Sequence, residues 1–410
     1  QWNVSWKGDK MIRVRQVKVN IDEDLKKATA HKLHIKENDI LMLKIVRKSL
    51  DARKKSALHF VYEVDIKARN EREILKQNKS HDVLKTPQEI YKFAITGMKK
   101  MQYRPIIVGS GPAGLFCAYM LASYGYRPII IERGEAIEQR VLTVDRFWQT
   151  GDLNPESNVQ FGEGGAGTFS DGKLNTLVKD KSFRMQKVFE IFLENGAPSE
   201  IMYENKPHIG TDKLREGIKN MREQILTFGG EFRYQTCLTE VLIEKGELKG
   251  IVVNNTETIL CDTLVLALGH SARDTFVMLE QKGLAMEAKP FAVGIRIIHA
   301  QAMINKAQYG ILHDRLEPAS YKLTYTAPDK RGVYSFCMCP GGYVVNASSE
   351  FQRLAINGMS NYKRDSESAN SAIVVTVGPD DFGNGPLAGL KYQQDLEKQA
   401  YKIASGKIPV

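Results

Sequence analysis

The chain has 410 residues, of which 42% are hydrophobic and 26% are charged, and it contains five cysteines. A chain of this length predicts two or three domains with a sizeable buried core. No apolar run approaches the roughly 18 residues of a membrane-spanning helix. Five cysteines in so long a chain exclude a disulfide framework, and this favours a reducing, cytoplasmic environment.

The positive charge is concentrated at the N-terminus. Residues 1–105 hold 25 lysines and arginines against 13 acidic residues, a balance of +12, whereas the rest of the chain balances at −2. Such a surface can bind RNA, an anionic surface or an acidic partner, or it can simply be a solvated lysine-rich surface. Both interpretations stay open.

The first 98 residues carry the pattern of a small α+β domain. The predicted elements are, in chain order, a strand at 12–19, a helix at 22–33, a strand at 41–46, a basic connector at 47–55, a strand at 58–66, a charged tract at 69–85 and a helix at 87–98. This order is typical of a ferredoxin-like unit. Aromatic residues of the kind that stack on RNA bases are few here.

Residues 104–134 carry the most informative motif. An apolar run at 106–108 leads into Gly109, Gly111 and Gly114; a helical pattern and a second apolar run follow, and that run stops at Glu132. The three glycines allow a tight turn, a close approach to a pyrophosphate and helix–strand packing. The pattern predicts a dinucleotide site at a helix N-terminus. Glu132 favours a ribose with a free 2′-hydroxyl and disfavours NADP, although Arg133 makes this exclusion less strict.

Two later segments extend this site. Residues 160–173 contain four glycines within six positions, which suits backbone that passes close to a flat ligand or its phosphates, although a surface loop is the alternative. Residues 261–269 form an apolar strand that ends in a glycine, as buried parallel strands do at a ligand crevice. A predicted β-meander around residues 244–247 precedes this strand, and the combination favours FAD over NAD.

Four motifs together resemble a known family. They are residues 161–173, 206–212, 267–274 and 333–342. In combination they resemble a bacterial family usually called uncharacterised FAD-dependent dehydrogenases, whose FAD domain is similar to that of glutathione-reductase-type flavoproteins. The resemblance covers nearly the whole chain from Met11 onward, and it implies a cofactor but no defined substrate.

Together, motif and resemblance predict a set of cofactor-binding residues. These residues are Gly109, Gly111, Pro112, Ala113, Gly114, Glu132, Arg133, Gly162, Gly164, Gly165, Gly167 and Gly269. Proteins of this family are longer and return to the FAD domain with a last glycine-rich segment. Because this sequence ends without that segment, we expect a truncated chain that holds flavin less tightly than a longer form.

The sequence also narrows the chemistry. No Cys-x4-Cys follows the flavin motif, so a disulfide-reductase dithiol is not expected. Cys337 and Cys339 are too close for an easy disulfide and are interpreted as buried packing rather than redox groups. No second glycine fingerprint is present, so no dedicated nicotinamide domain is predicted, and no metal site is predicted.

Candidate catalytic groups follow the strand that ends near Gly269, where ligands collect. They are His270, Arg273 and Asp274, joined by His208 in a similarly placed loop. A lone histidine is more often structural than a proton donor, so both interpretations are kept for each residue.

We therefore predict an α/β protein with a Rossmann-like FAD-binding domain that includes a β-meander, a small N-terminal α+β domain and an α+β substrate domain. The predicted boundaries are 1–98, 99–285 and 286–410. The predicted function is hydride transfer through FAD by an oxidoreductase of unknown substrate, with NAD(P)H as a candidate transient reductant. The alternative is a flavin-dependent RNA-associated or RNA-modifying protein that uses the basic N-terminal domain. No membrane partner is predicted, and the oligomeric state is left open.

Overall fold

The computed structural model describes residues 11–408 except residues 79, 89, 99 and 177. The helices are α1 Leu25–Leu33, α2 Glu71–Gln77, α3 Pro112–Ser123, α4 Ile137–Thr150, α5 Arg184–Glu194, α6 Thr211–Thr227, α7 Arg273–Gln281, α8 Gln301–Tyr309, α9 Pro379–Phe382 and α10 Ala388–Ala404. The strands are β1 Ile12–Asn20, β2 Ile40–Asp51, β3 His59–Ala68, β4 Val83–Lys85, β5 Ile106–Val108, β6 Ile129–Ile131, β7 Glu231–Arg233, β8 Leu238–Glu244, β9 Glu247–Val253, β10 Glu257–Leu260, β11 Leu264–Leu266, β12 Phe291–Ala300, β13 Thr324–Thr326, β14 Gly332–Cys339, β15 Gly342–Asn346, β16 Ile356–Ser360 and β17 Ser368–Val377.

The chain divides into two compact units, both discontinuous in sequence. The first contains the residues up to Ile95 together with Lys173–His208 and Ile304–Glu317. The second contains Thr96–Gly172, Ile209–Met303 and the residues from Pro318 onward. The domains expected from the sequence are contiguous ranges, whereas each of these units is made of three separate ranges of the sequence. The division into three domains stays a prediction.

The first unit is built on a four-stranded antiparallel sheet in the order β2–β3–β1–β4. With α1 after β1 and α2 after β3, this is the connectivity of the ferredoxin-like arrangement. The Asp24 carboxylate caps α1 by accepting the Lys27 amide at 2.9 Å. Apolar residues alternate along β1, so Ile12 and Val14 are fully buried in the core of this unit.

Two sequence-based expectations for this unit are wrong. The basic connector was expected to begin at Arg47, but β2 continues to Asp51, so residues 47–51 are paired with β3. Residues 87–98 were expected to be helical, yet none of those described is in a helix. Ile95 and Met98 are 64% and 99% exposed. This segment therefore buries no apolar stripe, and short helices need such packing in water.

The second unit contains a four-stranded parallel sheet in the order β11–β5–β6–β7. Every residue of β5 and β6 is buried, as expected for central strands covered on both faces. One face packs on the antiparallel meander β8–β9–β10. The rings of Tyr119 on α3 and of Phe228, the residue directly after α6, meet edge to face with their centres 5.9 Å apart. This sheet positions the candidate site.

The remainder of the second unit is antiparallel. One sheet has the order β12–β17–β14–β13, and β15 and β16 form a separate pair. Buried side chains of the pair, including Val345 and Met359, form a core with Val144 of α4 and with Phe169. Within the described residues, no helix combines the length and the apolarity needed to cross a membrane.

Candidate functional site

The glycine turn between β5 and α3 is the centre of the site. Gly109 has φ +98° and donates its amide to Ile131 O at 2.8 Å, which ties the turn to β6. A Cβ on Gly114 would lie 1.8 Å from Gly109 O, so only glycine lets α3 approach the turn this closely. A Cβ on Gly111 would meet only Gly165 Cα at 3.7 Å. Gly111 is therefore not required by internal packing.

A cavity of about 650 Å³ opens at the carboxyl ends of β5, β6 and β11. Its volume is in the range of small-molecule sites. Its lining includes nine of the predicted cofactor-binding residues: Gly109, Gly111, Pro112, Ala113, Glu132, Gly162, Gly165, Gly167 and Gly269. The structure thus brings together three segments that are far apart in sequence.

The other predicted cofactor residues lie around this cavity but do not line it. Gly114 is buried beneath the turn. Gly164 packs inward, because a Cβ there would lie 2.2 Å from Thr168 Oγ1. Arg133 lines a second, neighbouring cavity of about 520 Å³. Their roles toward a cofactor stay predictions.

Glu132 is 5% exposed, and its carboxylate oxygens accept hydrogen bonds from four protein donors. One oxygen accepts the Ser110 amide and hydroxyl, both at 2.9 Å. The other accepts the amides of Gly134 and Gly162, both at 3.0 Å. A carboxylate has about four acceptor positions, so Glu132 joins three backbone segments, a role that the sequence analysis missed.

A buried arginine holds the glycine-rich segment in place. Arg140 of α4 is fully buried. It donates to the carbonyl oxygens of Asn158 at 2.9 Å, Val159 at 3.0 Å, Glu163 at 2.5 Å and Gly165 at 2.9 Å. Burial lowers the pKa of Arg140 to about 10, so it remains a cation at neutral pH. No local sequence signal marked this residue, because its partners lie 18 to 25 positions away.

Arg133 is held by two carboxylates and a ring. It donates to Glu156 at 3.0 and 3.1 Å and to Asp274 at 2.9 Å twice. The guanidinium carbon lies 4.2 Å from the centre of the Phe161 ring. Partial burial acts to raise the pKa of Asp274, but the hydrogen bonds from Arg133 outweigh it and the pKa lies below its ordinary value.

The four candidate catalytic residues are separated. His270 lines the first cavity, and its ring Nδ1 lies 3.4 Å from Ser271 Oγ. Arg273 is instead paired with Glu350 and Glu397 at 2.5 and 2.6 Å. Asp274 is part of the Arg133 cluster just described. His208 belongs to the first unit, where its backbone forms an isolated antiparallel β-bridge with Lys173. Any catalytic role of these residues stays a prediction.

His270 is the group of this set that faces the first cavity. Desolvation by the surrounding protein and the nearby Arg273 guanidinium lower the pKa of His270, although the residue is exposed. The ring is therefore neutral at pH 7. Gln160 also lines this cavity and accepts a hydrogen bond from Ser271 Oγ at 3.2 Å. The sequence analysis did not select Gln160 as a site residue.

The cysteines are not arranged as an activated pair. Burial raises the pKa of Cys237 and Cys261 to about 11 each. Burial also raises the pKa of Cys117. These three groups are therefore thiols at neutral pH, whereas a redox cysteine needs a lowered pKa. Cys339 is buried in β14 and Cys337 is partly buried, as expected for packing residues.

The basic segment of the first unit is largely engaged in contacts within that unit. Lys48 pairs with Glu204 at 2.6 Å and lies 5.0 Å from the Phe60 ring centre. Arg47 donates through Nε to Asn205 at 3.0 Å, and Arg53 pairs with Asp51 at 2.5 Å. Nucleic-acid binding stays a prediction.

Comparison with protein families gives three matches along the chain. Residues 103–307 match the pyridine nucleotide-disulphide oxidoreductases, and residues 290–410 match the C-terminal domain-like part of FAD-dependent proteins. Residues 11–67 match a domain of unknown function. An uncharacterised protein of Clostridium beijerinckii is 46% identical over 408 residues, which cover 97% of this chain and 76% of that protein.

Three solved structures are distantly similar to this chain. The tetracycline destructase Tet(51) is 10% identical with a TM-score of 0.35, covering 74% of this chain and 64% of its own. The amino acid oxidase NikD is 14% identical with a TM-score of 0.31, covering 70% and 71%. THI4 of Thermovibrio ammonificans is 17% identical with a TM-score of 0.28, covering 44% and 63%. These likenesses are too distant to carry an argument.

The match to the pyridine nucleotide-disulphide oxidoreductases spans the glycine turn, the parallel sheet and the residues that line the first cavity. The chain belongs to the pyridine nucleotide-disulphide oxidoreductase family, and its residues 290–410 match the C-terminal domain-like part of FAD-dependent proteins.

Proposed function

We propose that this protein is an FAD-dependent oxidoreductase that binds the FAD pyrophosphate at the turn between β5 and α3. The observation that carries the proposal is the open space beside Gly111, where a Cβ would meet only one atom, at 3.7 Å, on the wall of a cavity of about 650 Å³. Internal packing explains Gly109 and Gly114 but not Gly111. Close approach of a ligand explains it.

The N-terminus of α3 suits a pyrophosphate. Gly111 occupies the N-cap position, Pro112 follows it, and no side chain caps this end. The amides of Ala113 and Gly114 lie in the first turn, where an α-helix has no acceptor of its own. These amides and the positive end of the helix dipole favour a bound phosphate.

The walls of the cavity suit a large, mostly apolar ring system. Eight apolar residues line the part of the cavity beyond the glycine turn: Leu266, Ala267, Leu268, Phe276, Leu279, Leu284, Ala285 and Met286. The Gln160 amide and the His270 ring supply the polar groups at this lining. The donor set and the shape therefore fit FAD.

Glu132 can receive a ribose hydroxyl only if a protein donor leaves. Three of its four donors are backbone amides in buried segments, whereas the fourth is the Ser110 hydroxyl, which can rotate. We propose that this hydroxyl turns away when the adenosine ribose binds. The carboxylate then exchanges one hydrogen bond for another at little cost.

Bound FAD would supply two-electron redox chemistry, with NAD(P)H as a transient reductant and a substrate that is unknown. The residues of this chain orient the cofactor and exclude water from its apolar side. His270 lines the cavity and is neutral at pH 7 because its pKa is lowered, so its ring can accept a proton.

The proposal is tested by Gly111→Ala. The variant is expected to fold normally, because its Cβ meets only an ordinary van der Waals contact and φ at this position is −68°. It is expected to lose FAD affinity by at least about tenfold, since the Cβ occupies the place of the pyrophosphate. The measurements are flavin released on denaturation and FAD titration of flavin-free protein, with circular dichroism to check folding.

Gly385→Ala is the matched control. Its Cβ would meet only Ala388 Cβ at 3.9 Å, away from the cavity, so flavin content is expected to match that of the unchanged protein. The reductant is identified by testing, in the absence of oxygen, whether NADH or NADPH reduces the bound flavin. Full-length protein without flavin, or Gly111→Ala protein with undiminished FAD affinity, would show that the assignment is wrong.

A further inference from the structure

Three polar side chains that line the first cavity are connected by hydrogen bonds: Gln160, Ser271 and His270. The Gln160 amide nitrogen donates to Ala347 O at 3.1 Å. The Ser271 hydroxyl donates to Gln160 Oε1 at 3.2 Å, and Ser271 Oγ lies 3.4 Å from His270 Nδ1. We call these three side chains the Gln160 triad.

The orientation of the Gln160 amide is set by its surroundings. Arg140 donates to the two backbone carbonyls directly before Gln160, which fixes the main chain at this point. Ala347 is 1% exposed, and its own amide donates to a neighbouring backbone carbonyl at 2.8 Å. Because a backbone carbonyl can only accept a hydrogen bond, the amide nitrogen of Gln160 faces Ala347 and the amide oxygen faces Ser271.

This orientation determines where the proton of the Ser271 hydroxyl lies. A hydroxyl has one proton to donate, and Gln160 Oε1 can only accept, so the proton lies between Ser271 and Gln160. Only lone pairs of Ser271 Oγ are left for His270. A ring nitrogen that bonds to a lone pair carries a proton itself, so the contact requires Nδ1–H. In the neutral ring, Nε2 is then the single nitrogen that can accept a proton.

The charged groups around His270 leave the ring neutral at pH 7 but able to take up a proton. Desolvation and the Arg273 guanidinium, itself paired with Glu350 and Glu397, lower the pKa of His270. The Glu397 carboxylate and the Gln393 side chain act in the opposite direction. When Nε2 takes up a proton, Nδ1 keeps its own, so the contact with the Ser271 hydroxyl is the same in both charge states.

We propose that Gln160 is a positioning residue that acts through Ser271 and holds the neutral His270 ring as its Nδ1–H tautomer, so that Nε2 accepts the proton. Which nitrogen of a histidine carries the proton is set by the hydrogen bond that the other one makes or receives. Gln160 does not pass the proton on, because an amide oxygen is not a base at neutral pH. The inference rests on the proposed function, in which His270 is the proton acceptor.

The test reads the tautomer of His270 by NMR of full-length, flavin-containing protein labelled with ¹⁵N at histidine. The chemical shifts of the two ring nitrogens distinguish a protonated from an unprotonated nitrogen. The protein has eight histidines, so the His270 signals are assigned by their absence in His270→Asn. Above the pKa of His270, we expect the Nδ1–H form to exceed the Nε2–H form by at least about tenfold, the factor that one ordinary hydrogen bond supplies.

Gln160→Leu removes the acceptor that fixes the Ser271 proton. The hydroxyl can then donate to Nδ1 as well as accept from it, so the tautomer ratio is expected to fall at least about tenfold. Ser271→Ala is expected to cause the same loss, whereas Ser271→Thr keeps a hydroxyl and is expected to keep the ratio. The pKa of His270 is expected to fall in Gln160→Leu, because Ser271 then supports the charged ring less well.

Gln186→Leu is the matched control. The Gln186 amide nitrogen donates to Glu190 at 3.1 Å within α5, and Gln186 does not line the cavity. The tautomer ratio of His270 is therefore expected to match that of the unchanged protein. Circular dichroism and the flavin released on denaturation are measured for every preparation, so that a loss of folding is recognised.

Three results would overturn the inference. They are a predominant Nε2–H form in the unchanged protein, an unchanged ratio in folded Gln160→Leu and Ser271→Ala proteins, and an equal loss of the ratio in Gln186→Leu. Protein that binds no FAD contradicts the proposed function instead. The tautomer is then still read in the flavin-free protein, so the two failures are distinguished.

Discussion

The substitution Glu132→Gln changes one oxygen of a buried carboxylate into an amide nitrogen while the shape is kept. The side chain can place its nitrogen toward Ser110 or toward Gly134 and Gly162. Toward the glycines, the nitrogen would oppose two backbone amides. Toward Ser110 it opposes only one, since the Ser110 hydroxyl can turn to accept. The second orientation is therefore the expected one.

The cost follows from these contacts. The Ser110 amide is fully buried and loses its acceptor, which costs about 1–3 kcal/mol. The two glycine amides change from a charged to a neutral acceptor, which removes about 1 kcal/mol each. The neutral amide is easier to bury than the carboxylate, and this offsets part of the loss. We expect the free energy of unfolding to fall by about 3 kcal/mol, the lower end of this range.

The assay is urea unfolding of flavin-free protein followed by circular dichroism, because the effect does not depend on a bound cofactor. Glu257→Gln is the control: its carboxylate is 58% exposed, so a change below about 1 kcal/mol is expected. A loss for Glu132→Gln no larger than that of the control would refute the role of Glu132 as the acceptor that joins the three segments.

Two further predictions concern residues around the same cavity. Arg140→Lys is expected to lower the free energy of unfolding by about 1–3 kcal/mol for each buried carbonyl that a single ammonium cannot reach. The matched control on the same helix is Arg146→Lys, whose side chain is 59% exposed; urea unfolding compares them, and equal losses would contradict the role of Arg140. His270 is expected to titrate below about 6.5 by NMR, to gain its proton only as the pH falls through that lowered value, and to shift upward in Arg273→Gln. A titration at or above 6.5 would contradict the environment described for this ring.

Local patterns predicted the strands and the helix around the glycine turn well. The apolar runs became β5 and β6, and the helix between them begins at Pro112, directly after Gly111. Strand, turn and helix are contiguous here, so each glycine acts within a few residues of its own position. The meander was predicted for the same reason, because β8 and β9 pair across a tight turn.

Local patterns failed where burial decides the outcome. Residues 87–98 have a helical pattern, but the described part is not helical, and Met98 is 99% exposed. Arg47 and Lys48 look like a basic connector, yet cross-strand pairing with β3 makes them part of β2. A short segment does not show whether its apolar face will be buried, nor with which strand and in which register it will pair.

The sequence alone determined the turn, the helix N-terminus and the acid at the end of β6, because these depend on residue types at fixed short spacing. The tertiary structure alone decided what the charged residues do. Arg140 meets carbonyls up to 25 positions away, and Arg133 meets Asp274 across 141 positions. Burial makes such contacts strong and specific, since an unpaired polar group in the interior is costly. Folding thus determines that the donors of Arg133 are taken up by Glu156 and Asp274.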